Sequence, residues 1–168
     1  LNLFGAVTKL ALVGLMIWGV YHEWVSEMRW QITPHLELVL HADALSVVFV
    51  TLSTVLWLVT TIYAIGYLEH SPHRSRFFGF FSLCVTATVG LALAGNLFTF
   101  IIFYELLTLA TYPLVAHKGS AEAVRGARIY LTYTLGGGVL LLIGAIWLHT
   151  IAGPIDFQER GVLSGLTD

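Results

Sequence analysis

The chain has 168 residues, 57% of them hydrophobic and only 11% charged, a net charge of -2 and a mean hydropathy of +0.83. So much apolar surface exceeds what a soluble core can hide, and composition assigns the chain to the integral membrane helical bundles. Each crossing of a bilayer core about 30 Å thick takes about 20 apolar residues, which leaves no room for a soluble catalytic domain. No cluster of Lys and Arg is long enough to grip nucleic acid.

Five apolar stretches predict membrane-spanning helices, at 3–20, 44–68, 77–95, 97–116 and 129–149. The expected fold is therefore all-α, a single transmembrane domain over 1–168 with a short extramembrane strand segment. The first stretch has neither a basic leader nor a small-residue cleavage site and reads as a true span rather than a signal peptide. Lys9 lies within it near one end, where snorkelling accounts for the charge. Between the first two spans, residues 30–40 alternate in part, with Leu36, Leu38 and Leu40 on one side of Glu37 and Val39. This predicts a strand or hairpin outside the bilayer, turned at Pro34, with the Trp24 and Trp30 rings at headgroup level. Asp43 precedes the second span as an N-cap would.

The second span carries Ser46, Ser53 and Thr60 at intervals of one heptad, flanked by Thr54 and Thr61. Such hydroxyls bond back to their own helix or join neighbouring helices. Ser82 and Thr86 extend this pattern to the third span, where Cys84 is expected as a small buried hydrophobe. Gly95-Asn96 separates the third and fourth spans by a turn dipeptide, so the two should form a tight helical hairpin.

Near the middle of the fourth apolar run stands one charge, Glu105. A carboxyl group at the centre of a bilayer costs about 2.5 to 3.5 kcal/mol on translocon scales, and charges retained there face a bundle interior or a water-filled path. Helical spacing puts Thr108 and Tyr112 on the same face. These hydroxyls either pack against a neighbouring helix or help pass protons. His117 and Lys118 end the same helix, where cations suit the negative end of its dipole; a relay role is the competing reading. The fifth span adds Tyr130, Tyr133 and Thr134, and within it Gly136-Gly137-Gly138 offers close backbone approach, or local unwinding at an ion path.

Arg74, Arg76, Lys118, Arg125 and Arg128 fall after the second and fourth spans, against only Arg29 and Arg160 on the other side. The positive-inside bias then places both basic loops and the N-terminus in the cytoplasm, with the strand segment outside. His41, His70 and His73 have no ligand spacing, so no metal site is expected. No phosphate loop, nucleophile motif or haem-attachment motif occurs, and no cofactor is expected. The chemistry left is movement of protons or cations past Glu105, for which a carboxyl group is suited because it changes protonation as a cation approaches or withdraws.

Asp43-Ala44-Leu45-Ser46, then Phe103-Tyr104-Glu105-Leu106-Leu107-Thr108, then Tyr112-Pro113-Leu114-Val115 with His117-Lys118, then residues 127–133, occur in an order that resembles the antiporter-like membrane subunits. That family comprises Mrp-type cation/proton antiporter subunits, the D-type above all, and the proton-pumping subunits of respiratory complex I and membrane-bound hydrogenases. The resemblance covers about residues 36–157. It implies that Glu105 belongs to a proton path and pairs with a lysine on a later broken helix, beyond Asp168. This implies the front portion of a larger subunit built on inverted repeats; the opening at Leu1 and the end at Asp168 are those expected of a fragment, or of a split subunit completed by another chain. Thr108, Tyr112, His117, Lys118 and Tyr133 are the further candidates for the path. The implied partners are other membrane subunits of a multisubunit complex, the lipid bilayer, protons and Na+ as a candidate second ion. The implied location is a bacterial or archaeal inner membrane. A structural or assembly subunit without its own ion path, and a quinone-handling subunit, are the other classes considered.

Overall fold

The structure, a computed structural model, describes residues 2–22, 26–33, 36–69, 73–153 and 156–157. In chain order it runs α1 (Asn2–Tyr21), β1 (Ser26–Thr33), β2 (Leu36–Ala42), α2 (Ala44–Tyr67), α3 (Arg74–Ala92), α4 (Leu97–Val115) and α5 (Ala121–Ala152). Each helix packs on the next in sequence; the connections from α2 to α5 are short, which favours neighbouring packing, whereas α1 reaches α2 across the strand segment. Four described helices, α2 to α5, are long and apolar enough to cross a membrane, while the described apolar stretch of α1, Val7–Tyr21, is shorter. The expected helical membrane bundle with a strand segment is what forms.

Boundaries differ from the expected spans where charge enters a helix. α3 starts at Arg74 and α5 at Ala121, so Arg74 and Arg76 occupy the first turn of α3, and Arg125 and Arg128 the turns after the first of α5, instead of loops. An apolar run marks the part of a helix that lipid can cover, whereas backbone hydrogen bonding continues to the cap. For α5 that cap is Ser120, whose Oγ accepts from the Ala123 amide at 3.2 Å. At 32 residues, α5 is about 48 Å long and outruns a bilayer core of about 30 Å. Lys118 remains in the α4–α5 link.

The strand segment is a two-stranded antiparallel hairpin with Trp30 opposite Leu38 and Arg29 opposite Val39, longer than the expected 30–40. Trp24, Pro34, His70 and Arg160 lie outside the described residues. The hairpin is seated on the α3–α4 link. His41 N donates to Leu93 O at 2.7 Å and Gly95 N to Val39 O at 2.9 Å. A Cβ on Gly95 would stand 2.7 Å from Val39 Cγ1, so only glycine permits this approach. Asn96 does more than turn the chain: its Oδ1 caps α4 by accepting from Thr99 N at 2.8 Å, and its Nδ2 donates to Glu37 O at 2.8 Å. Thr99 Oγ1 in turn accepts from the Val39 amide at 2.8 Å.

Beyond the hairpin, Asp43 forms the expected cap as a full capping box with Ser46. Its Oδ1 accepts from Ser46 N at 2.6 Å, while Asp43 N donates to Ser46 Oγ at 2.8 Å. Partial burial alone would raise the Asp43 carboxyl, but the bonds from Ser46 and the neighbouring His41 outweigh it and hold the group below its usual value. At the opposite end of the bundle the start of α3 meets the α4–α5 link, with the Phe77 and His117 rings edge-to-face at 5.2 Å between centroids. The basic residues after the second and fourth spans therefore gather away from the hairpin.

Some hydroxyls of the polar stripes bond back within their own helices, as Thr54 Oγ1 does to Val50 O at 2.7 Å and Thr86 Oγ1 to Ser82 O at 2.9 Å, whereas Thr61 Oγ1 is buried without a hydrogen-bond partner among the described residues. Ser46, Ser53 and Thr60 share one face of α2 and line a groove of about 940 Å³ against Phe81, Val85 and Thr88 of α3. Cys84 is half-buried instead of sealed, its Sγ 3.6 Å from Thr111 Oγ1. Across the α3–α4 contact, a Cβ on Gly90 would overlap the Phe103 ring atoms, so only glycine permits the ring to pack there.

Candidate functional site

Glu105 stands near the midpoint of the 19-residue α4, a helix about 28 Å long, and is half-buried. Its carboxyl group reaches α5. A Cβ on Gly138 would overlap Glu105 Oε1 and lie 2.9 Å from Cδ. The acid therefore rests on bare α5 backbone, in space that any other residue at 138 would fill. Among the described residues no hydrogen bond or ion pair to the Glu105 carboxyl group is found.

The other candidate residues divide by position. Thr108, one turn from Glu105, is 4% exposed, and Tyr112 is half-buried further along α4. Pro113 removes one N–H from this last stretch of the helix, which closes through Ala116 N to Tyr112 O at 3.0 Å. His117 follows in the link, with Nδ1 buried and without a partner; Lys118 beside it is exposed. Tyr133 is 79% exposed and is not brought to Glu105. Thus Glu105, Thr108 and Tyr112 on α4, then His117 in the link, follow one another from mid-helix to the basic end.

On the hairpin side, the α4–α5 seam opens into a cavity of about 480 Å³. Ile101, one turn from Glu105, and Leu142, one turn from Gly138, are in its wall; Arg29, Glu37, His149 and Asp156 supply its polar lining. Arg29 pairs with Glu27 at 2.6 Å, Asp156 at 3.0 Å and Glu37 at 3.4 Å. Hydrogen bonds to Asp156 first and Glu27 next hold its guanidinium above an already high basicity. Phe157 N donates to Gly95 O at 2.9 Å, so the residues after α5 join the hairpin and the α3–α4 link at this mouth.

Sequence reasoning singled out Glu105 and the glycine triplet separately; their contact was not legible, because no spacing rule relates residues on two helices. The Arg29 cluster was missed altogether. Its only signal was an alternating strand with Glu27, Arg29 and Glu37 around a turn. Lys9 proves to have a specific partner, its Nζ 4.6 Å from the centroid of the Trp57 ring, the geometry of a cation–π contact. Among the described residues, no group of three or more His, Cys, Asp or Glu is disposed to hold a metal.

Residues 30–78 match the family described as NADH-ubiquinone oxidoreductase (complex I), chain 5 N-terminus, and residues 94–164 that described as NADH:quinone oxidoreductase/Mrp antiporter, TM. The NAD(P)H-quinone oxidoreductase chain 5 of Synechocystis sp. is 33% identical over 131 residues, 76% of this chain and 19% of that protein. The D-type Na(+)/H(+) antiporter subunit of Alkalihalophilus pseudofirmus is 23% identical over 128 residues, 76% of this chain and 26% of that one. Among solved structures, a chain of the membrane-bound sulfane sulfur reductase, an archaeal respiratory membrane complex, superposes with a TM-score of 0.79 at 15% identity, over 92% of this chain and 32% of its own length. The chain thus spans about a fifth to a quarter of the two curated relatives. The matched regions take in the hairpin, α2 and the α4–α5 pair that holds Glu105, and the chain belongs to the complex I chain 5/Mrp antiporter family of integral membrane subunits.

Proposed function

We propose that this chain is the front portion of a subunit in a proton- or cation-translocating membrane complex of the bacterial or archaeal cell membrane, and that Glu105 is its intramembrane proton carrier. The observation that carries this reading is the Glu105 carboxyl group, set at mid-helix in the α4–α5 seam with no hydrogen-bond partner among the described residues. A charge costing about 2.5 to 3.5 kcal/mol at that depth is retained where it acts. Without a fixed partner, the group is free to trade its proton as a cation on another segment approaches and withdraws.

Two features support a path through this site. Thr108, Tyr112 and His117 follow Glu105 towards the basic end of the bundle, and a largely apolar cavity with Arg29, Glu37, His149 and Asp156 in its lining opens on the same seam at the hairpin end. The lysine that the resemblance pairs with Glu105 would come from a later segment of the same subunit, and other membrane subunits would complete the complex. The positive-inside bias would place the basic end in the cytoplasm.

Glu105→Gln in the assembled complex tests the assignment, because glutamine keeps the shape and loses the proton. Proton-coupled flux should be abolished while expression and assembly stay normal. Full flux in the variant would refute it. Loss of assembly would instead favour a structural subunit, in which Glu105 only pairs across a helix interface.

A further inference from the structure

We infer that Gly138 is the positioning residue for the Glu105 carrier: the side chain missing at 138 is the seat that holds the carboxyl group against α5. This rests on the reading of Glu105 as a proton carrier. A Cβ built on Gly138 overlaps Oε1 and stands 2.9 Å from Cδ and 3.4 Å from Oε2, so the Oε1 side of the carboxyl group occupies space that any other residue would claim. Its two neighbours in the triplet behave differently. A Cβ on Gly136 or Gly137 would meet nothing within 4 Å, so neither is required by close packing here.

What moves on substitution decides between a packing role and a positioning role. Where helices need glycine for their own approach, as at Gly90 against the Phe103 ring, an added methyl group meets a bulky ring set between two helices. At Gly138 it meets the far end of a flexible glutamate. The carboxyl group can rotate away at little cost, and alanine is the better helix former. Gly138→Ala should therefore leave α4 and α5 in place and move only the carrier. Transfer of a proton depends steeply on position, and a misplacement of about 1 Å can cost about 100-fold.

The test uses everted membrane vesicles carrying the assembled complex, with a respiration-driven pH gradient followed by acridine orange fluorescence and dissipated by NaCl or KCl. Gly138→Ala should lower this flux about 10- to 100-fold with normal assembly, while Gly136→Ala and Gly137→Ala leave it unchanged. Glu105→Asp withdraws the carboxyl group by one carbon–carbon bond, about 1.5 Å. The added methyl group should then cost nothing, so the double variant should match Glu105→Asp alone. Flux in Gly138→Ala equal to that in Gly137→Ala, or a further loss in the double variant, overturns the inference. Should Gly138→Ala fail to assemble, recovery of assembly on adding Glu105→Asp supports it, and failure of both overturns it, because the glycine then serves helix packing. Flux lost in Glu105→Gln but intact in Gly138→Ala sinks this inference alone; flux intact in Glu105→Gln sinks the carrier reading beneath it.

Discussion

Replacing Thr99 by valine isolates the bond that fixes the hairpin to the membrane bundle. Thr99 is 0% and Val39 1% exposed, and the Val39 amide donates to Thr99 Oγ1 at 2.8 Å. Valine keeps the shape and removes the acceptor, so a buried N–H is left without a partner, at a cost of about 1–3 kcal/mol. Since about 1.4 kcal/mol is tenfold in an equilibrium constant, local opening at this amide should become about 5- to 150-fold more frequent. Hydrogen exchange of the purified complex, read at the Val39 amide, measures that opening directly. Thr99→Ser keeps the acceptor and deletes one methyl group, about 0.8 kcal/mol, and should retain most of the protection. If Thr99→Val protected the amide as well as Thr99→Ser does, the hydroxyl would not be what seats the hairpin, and the reasoning would fail.

Asp43→Ala should remove the α2 capping box at a cost of about 0.5–2 kcal/mol, read as a lower melting temperature of the complex in detergent. Because the folded state holds the Asp43 carboxyl below its unfolded value of 3.8, its stabilisation is complete above that pH and lost as the pH falls through the folded value. The difference between wild type and Asp43→Asn should therefore shrink as melting is repeated towards acid pH, and a constant difference would contradict the linkage. Arg29→Gln should cost little, about 0.2–1 kcal/mol for each exposed pair, and the loss should fade at high salt. A large, salt-independent drop in melting temperature would show that the Arg29 cluster does more than tie the hairpin to Asp156.

What could be read from residues in order was whatever repeats or punctuates along one element. Asp43 followed by Ser46 announced a cap, and both residues make its two bonds. The Gly95-Asn96 dipeptide announced the α3–α4 turn, and Glu105 stood out because one charge in an apolar run has a fixed cost. α3 and α5 begin ahead of the apolar spans at 77 and 129, because hydropathy reports contact with lipid while the helices run on through Arg74 and Arg125 to their caps. Asn96 was read as a turn residue, yet its side chain caps α4 and holds the Glu37 carbonyl. The second of those bonds joins residues far apart in sequence, which no local pattern encodes.

The sequence by itself determined that the chain is a membrane helical bundle with a strand segment, which positions of α4 bear polar groups and that Glu105 is the residue to explain. These follow from solvent and periodicity, and each is a property of one segment in its surroundings. Only the tertiary structure decided what those segments meet. It set the hairpin on the α3–α4 link, the Lys9 ammonium over the Trp57 indole and the Glu105 carboxyl group on the bare backbone at Gly138. Such meetings depend on the rotation and approach of whole helices, which are fixed by close packing of all of them together.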